Sequence, residues 1–118
     1  MKAFINYVDS IDCSDVDDFV NHHISTYGLG NHTIDGYNVR VLSDQVMFCD
    51  ESFLKIHRLD GPAIYYKSEF SRTKEWYFNG IIATMNFLSW AFKNDIDLNN
   101  LTETDKALIK LVWADYGK

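Results

Sequence analysis

Residues 56–80, IHRLDGPAIYYKSEFSRTKEWYFNG, hold the clearest turn chemistry and most of the strand signal in the chain. Asp60-Gly61-Pro62 is a local break: Asp hydrogen-bonds backbone ahead of it, Gly accepts unusual dihedrals, and Pro fixes φ while removing a ladder donor. A strand is therefore expected to begin just after Pro62. Ala63 to Lys67 and Lys74 to Phe78 are rich in aromatic and β-branched residues, and the second run closes on Asn79-Gly80, a pair suited to a hairpin turn. Two neighbouring antiparallel strands follow. Alternation assigns Ile64, Tyr66, Trp76 and Phe78 to a core face and Tyr65, Lys67, Glu75 and Tyr77 to the opposite one.

The same residues carry a resemblance. His57-Arg58-Leu59-Asp60-Gly61-Pro62-Ala63, followed by Lys74-Glu75-Trp76-Tyr77 and Asn79-Gly80, resembles the H-R-x-D-G-P-A … K-E-W-x-x-N-G unit of small proteins common in tailed-phage genomes, a MORN-like β-hairpin. Ile96 to Tyr116 is similar, more loosely, to the helical tail that follows the hairpin in those proteins. Here the unit occurs once, and the segment from Lys67 to Thr73 is longer than the usual tight Asp-Gly turn. The resemblance implies a hairpin element and a viral origin. It supplies no activity and no catalytic residues.

Outward from this unit, Ala3 to Val8 alternates as a first strand would. Ser14 offers a helix cap, Asp15, Asp17 and Asp18 suit the positive end of a helix dipole, and Val16, Phe19, Val20, His23, Ile24 and Tyr27 recur at helical spacing before Gly28. Leu29 to Thr33 reads as loop, a turn is expected within Ile34 to Tyr37, and strands are expected from Tyr37 to Leu42 and from Val46 to Cys49. Beyond Gly80, Ile81 and Ile82 extend the sheet, and Thr84 caps a helix whose stripe is Phe87, Leu88, Ala91 and Phe92. Thr102 with Asp105 forms a capping box for the last helix, which carries Leu108, Ile109, Leu111, Val112 and Trp113. The expected fold is α+β. A single domain, residues 1–118, holds a small antiparallel, meander-like sheet of four to five strands packed with an N-terminal helix and two C-terminal helices.

Composition narrows the function classes. Hydrophobic content of 47% with 15% aromatics suits one packed domain. A net charge of -6, with Lys and Arg scattered along the sequence, counts against nucleic acid as partner. No apolar run reaches the roughly 18 residues of a membrane span, and Asp9 and Asp12 interrupt any leader core, so a cytoplasmic protein is expected, in the host cell if viral. Cys13 and Cys49 are then expected reduced.

No metal-ligand spacing, nucleophile motif or phosphate loop is present in the sequence, so neither a metal, a cofactor nor a set of catalytic residues is expected. His22 and His23 are adjacent and diverge on a helix; His32 and His57 stand alone. The leading reading is a phage-type accessory protein that works by binding a host protein, as an inhibitor of host function or defence, with a homo-oligomer left open. Its expected surface is the open side of the hairpin and its loop, Tyr65, Lys67, Phe70, Arg72 and Tyr77, with His57 and Arg58 beside it. A second reading is a protein that sequesters a small ligand such as a signalling nucleotide, using aromatic stacking and Arg40, Arg58 or Arg72 on phosphate. A third is a small hydrolase using His57 and Asp60.

Overall fold

The computed structural model describes residues 4, 7, 16–67 and 74–118. Cys13, Ser14, Phe70 and Arg72, on which expectations were placed, lie outside the described residues. Helix α1 spans Val16–Tyr27, opening on Asp17 and Asp18. It is followed by β1 Gly30–Ile34, β2 Tyr37–Val41, β3 Gln45–Cys49, β4 Ile64–Tyr66 and β5 Lys74–Glu75. These five strands form one antiparallel sheet in sequence order, a meander. The fold is thus the expected α+β arrangement, with two helices still to come.

Two elements near the N-terminus differ from the expectation. Phe4 and Tyr7 are helical rather than extended, and their rings pack edge-on against Phe92, 5.3 and 5.4 Å between centroids. At these two positions tertiary packing overrides a short alternating pattern; Ala3, Ile5, Asn6 and Val8 of the expected strand lie outside the described residues. The stretch expected as loop is instead β1, whose polar sequence Gly-Asn-His-Thr gives no apolar alternation but pairs with β2 over five residues. The turn between them makes this register: Asp35 and Gly36 take φ of 51° and 84°, the left-handed pair a two-residue hairpin loop demands.

Opposed residues in an antiparallel pair share a face. Val39 faces Phe48, Val41 faces Val46, and Val46 faces Tyr65. That face receives Val16 and Val20 of α1, with Phe19 and Ile24 beside them, to form a first core. Fully burying side chains of this size stabilises by about 1.5–3 kcal/mol each.

The expected second hairpin strand is divided. β5 stops at Glu75, and after Trp76 the chain continues as β6 Tyr77–Phe78, which pairs with β7 Ile81–Ile82 around Asn79-Gly80. Ile64 stands opposite Glu75, so these two share a face, contrary to the simple alternation. The break at Trp76 redirects the chain, and it delivers Trp76 and Phe78 to a second core with α2 Thr84–Lys93 and α3 Glu103–Trp113. Trp76 stacks on Phe87 at 5.7 Å and Phe78 on Trp113 at 5.2 Å.

Thr84 is not the cap of α2; it is the buried first residue, and Ala83 occupies the cap position without a side-chain bond. Its hydroxyl accepts from the Trp76 amide and donates to Glu75, tying the strand break to the helix. At α3 the capping box forms as expected: Thr102 accepts from the Asp105 amide and Asp105 from the Thr102 amide. Among the described residues no helix is long and apolar enough to cross a membrane.

Candidate functional site

The connection from β3 to β4 builds the site. Its first turn is held by Asp50, whose carboxylate accepts from the Ser52 hydroxyl and from the amides of Ser52 and Lys55. These bonds, the Ser52 hydroxyl foremost, hold the carboxyl below its ordinary range. An antiparallel bridge from Cys49 to Ile56 then brings the chain back alongside β3.

Arg58 follows and is largely enclosed. Its Nε bonds Asp60 at 2.8 Å, and its Nη1 donates to the Pro62 carbonyl and the Tyr65 hydroxyl, both at 3.2 Å. The guanidinium carbon lies 4.1 Å from the Phe48 ring centroid and 5.2 Å from that of Tyr37. Tyr37 donates in turn to Asp60. Burial alone would raise the Asp60 pKa, yet the bonds from Tyr37 and Arg58 together hold it below its ordinary value. A Cβ on Gly61 would stand 2.8 Å from the Arg58 guanidinium carbon, which is why this position carries glycine: the pinned cation fills the space.

His57 and Asn79 lock the unit to the C-terminal helix. The Asn79 amide donates to His57 Nδ1 at 2.9 Å, and the Asn79 side chain donates to the carbonyls of Ala114 and Tyr116, both at 2.9 Å. Asn79 and Gly80 take φ of 55° and 83°, so the turn presents both Asn79 groups at once. Burial foremost, and the Lys118 ammonium, lower the His57 pKa, with Asp50 opposing. With Nδ1 accepting, the neutral ring carries its proton on Nε2 and offers a donor.

Between these segments and α3 lies a cleft of about 840 Å³. It is lined by Tyr37, Asn38 and Phe48, by Asp50 to Ser52, by His57 to Asp60 and Asn79, and by the lysines Lys55, Lys106, Lys110 and Lys118. Five of the chain's eleven Lys and Arg residues thus line one cleft, against Asp50, Glu51 and Asp60. Arg58 and Asp60 neutralise each other. Lys106 and Lys118 pair with Glu103 and Asp115 at 3.4 and 3.7 Å, but those carboxylates are 93% and 92% exposed, where such pairs contribute little. Lys55 and Lys110 have no ion-pair partner among the described residues. The lining therefore carries an excess of two positive charges, five cations against three carboxylates, in a protein of net charge -6.

Of the residues singled out from sequence, His57, Arg58 and Asp60 line this cleft, and all three are also structural. Of the rest of the expected surface, Tyr65, Lys67 and Tyr77 do not line it, and Phe70 and Arg72 lie outside the described residues. Tyr65 is turned toward α1, its ring stacked on Phe19 at 4.2 Å, so the side expected open is covered by a helix. Lys67 donates its amide to the Asp44 carbonyl and is half-buried, as is Tyr77, whose hydroxyl pKa is raised by burial and by Glu75. Arg40 is committed to Asn31 and the Phe53 carbonyl. Asp60 and Glu75 serve different partners, Arg58 with Tyr37 and Thr84, as expected for structural carboxylates. His23 bonds the Phe19 carbonyl and His32 the Gly28 carbonyl; among the described residues no group of three or more His, Cys, Asp and Glu could hold a metal. Sequence reasoning missed Tyr37, Lys55, Lys106, Lys110 and Lys118. The one available signal was the four-residue spacing of Lys106 and Lys110, which puts both on one face of the last helix.

Comparison of the chain with protein-family models, with curated proteins and with solved structures gives no match.

Proposed function

We propose that this protein acts by binding, and that its ligand is a small anion captured in the cleft lined by Tyr37 and the lysines of α3. The observation that carries this reading is the gathering of Lys55, Lys106, Lys110 and Lys118 around an 840 Å³ cleft in a chain of net charge -6. With Arg58 and Asp60 paired, these four lysines outnumber the remaining lining carboxylates, Asp50 and Glu51, and a bound anion would meet that excess. The polar groups of the motif are meanwhile engaged in holding the fold, which favours retention of a ligand over its turnover. The resemblance to phage proteins makes the reading a viral accessory protein that sequesters a ligand supplied by its host.

Thermal-shift titration with sulfate, phosphate and pyrophosphate, run beside affinity capture from a bacterial lysate, tests it. The melting temperature is expected to rise with anion concentration, and the rise to shrink in Lys55→Gln/Lys110→Gln. No response to any anion, together with specific retention of one lysate protein, would replace this reading with that of a protein partner.

A further inference from the structure

We infer that the ligand of this cleft is a nucleoside polyphosphate, its phosphates on the lysines and its planar base against Tyr37; the inference rests on the anion-binding reading and narrows it. Three observations carry it. First, the cations come from three separate segments, Lys55, the pair Lys106 and Lys110, and Lys118. Lys106 and Lys110 stand one turn apart on one face of α3, so a chain of several phosphates can meet both. Second, the cleft lining also includes an aromatic ring that is already fixed. Tyr37 is 36% exposed, its hydroxyl is tied to Asp60, and its ring meets Phe48 edge-to-face at 5.5 Å. A ring held in this way contributes stacking area with little further loss of rotamer freedom. Third, the volume of about 840 Å³ lies at the upper end of the range for ligands of drug or cofactor size, roughly 300–1,000 Å³. A lone inorganic anion would leave most of it unfilled. Glu51 in the lining is an acceptor of the kind that ribose hydroxyls use.

Isothermal titration of the whole chain with ATP, GTP, tripolyphosphate and adenosine at one fixed salt concentration tests the inference. The nucleotides are expected to bind at least tenfold tighter than tripolyphosphate, and adenosine far more weakly than either. Lys106→Gln/Lys110→Gln is expected to weaken ATP and tripolyphosphate alike by tenfold or more. Tyr37→Leu is expected to abolish the preference for ATP while leaving tripolyphosphate binding in place. Because that change also removes a hydrogen bond to Asp60, the ring resonances of Tyr37 in the unaltered protein give an independent readout; ATP should shift them and tripolyphosphate should not. Equal affinity for ATP and tripolyphosphate would overturn the nucleotide inference and leave the anion-binding reading standing. Heat from none of the four would overturn both.

Discussion

At the scale of single residues, the H-R-x-D-G-P-A and N-G positions act as a framework. His57 is the most informative. It must present an unprotonated Nδ1 to the Asn79 amide, and Asn79 holds the end of α3, so a proton on Nδ1 sets donor against donor at the point where hairpin and helix are joined. The folded-state pKa of His57 is lowered below its ordinary 6.5 by burial, with the Lys118 ammonium adding and Asp50 opposing. Folding therefore favours the neutral ring. Its contribution is fully present above pH 6.5 and is lost as pH falls below that value. Asp60, also lowered, acts in a separate and more acidic window below its ordinary 3.8. The melting temperature is expected to decline between about pH 7 and pH 5, and His57→Asn, whose amide oxygen can take the same bond, to flatten that decline. An unchanged slope in His57→Asn would place the acid sensitivity elsewhere.

At the scale of elements, the division of one expected strand into β5 and β6 decides the architecture. A continuous strand through Trp76 would have kept Trp76 and Phe78 on the five-stranded sheet. The break instead lets them meet Phe87 and Trp113, so the C-terminal helices have an aromatic surface to pack on. Thr84 secures the break by bonding both the Trp76 amide and Glu75. Trp76→Ala is expected to lower stability by about 3–5 kcal/mol, in the range for truncating a buried aromatic. Tyr77→Ala, from a half-buried position, should lower it visibly less. Chemical denaturation of the two variants checks this, and equal losses would mean that Trp76 does not carry the second core. The alternation reading identified the buried members of this pair while misjudging the register that puts Ile64 opposite Glu75.

At the scale of the whole molecule, two cores and one cleft divide the work. The core under α1 and the core among the C-terminal helices supply stability, and the cleft between the sheet end and α3 collects cations. Lys110 separates these roles. Its repulsion with Lys106 one turn away and its favourable position in the last turn of α3 are each worth a few tenths of a kcal/mol and oppose one another. Lys110→Gln should therefore change unfolding free energy by less than about 0.5 kcal/mol while weakening anion capture. A loss above about 1 kcal/mol would show that the ammonium is part of the fold.

The sequence by itself determined the local elements whose causes are local. The amphipathic period of α1, the Asn79-Gly80 turn, the Thr102–Asp105 box, the alternation of β2 and the short apolar run of β3 are each written in neighbouring residues, and together they are enough for the α+β class and the meander. Only the tertiary structure decided which face of β4 is covered, because α1, joined through three intervening strands, lies over Tyr65. It also decided the site. Lys55, Lys106, Lys110 and Lys118 are spread over more than half the chain and look like ordinary solubilising charges in one dimension. Their convergence depends on Asn79 binding the end of α3 to the hairpin, a contact across 35 and 37 residues that no local pattern encodes.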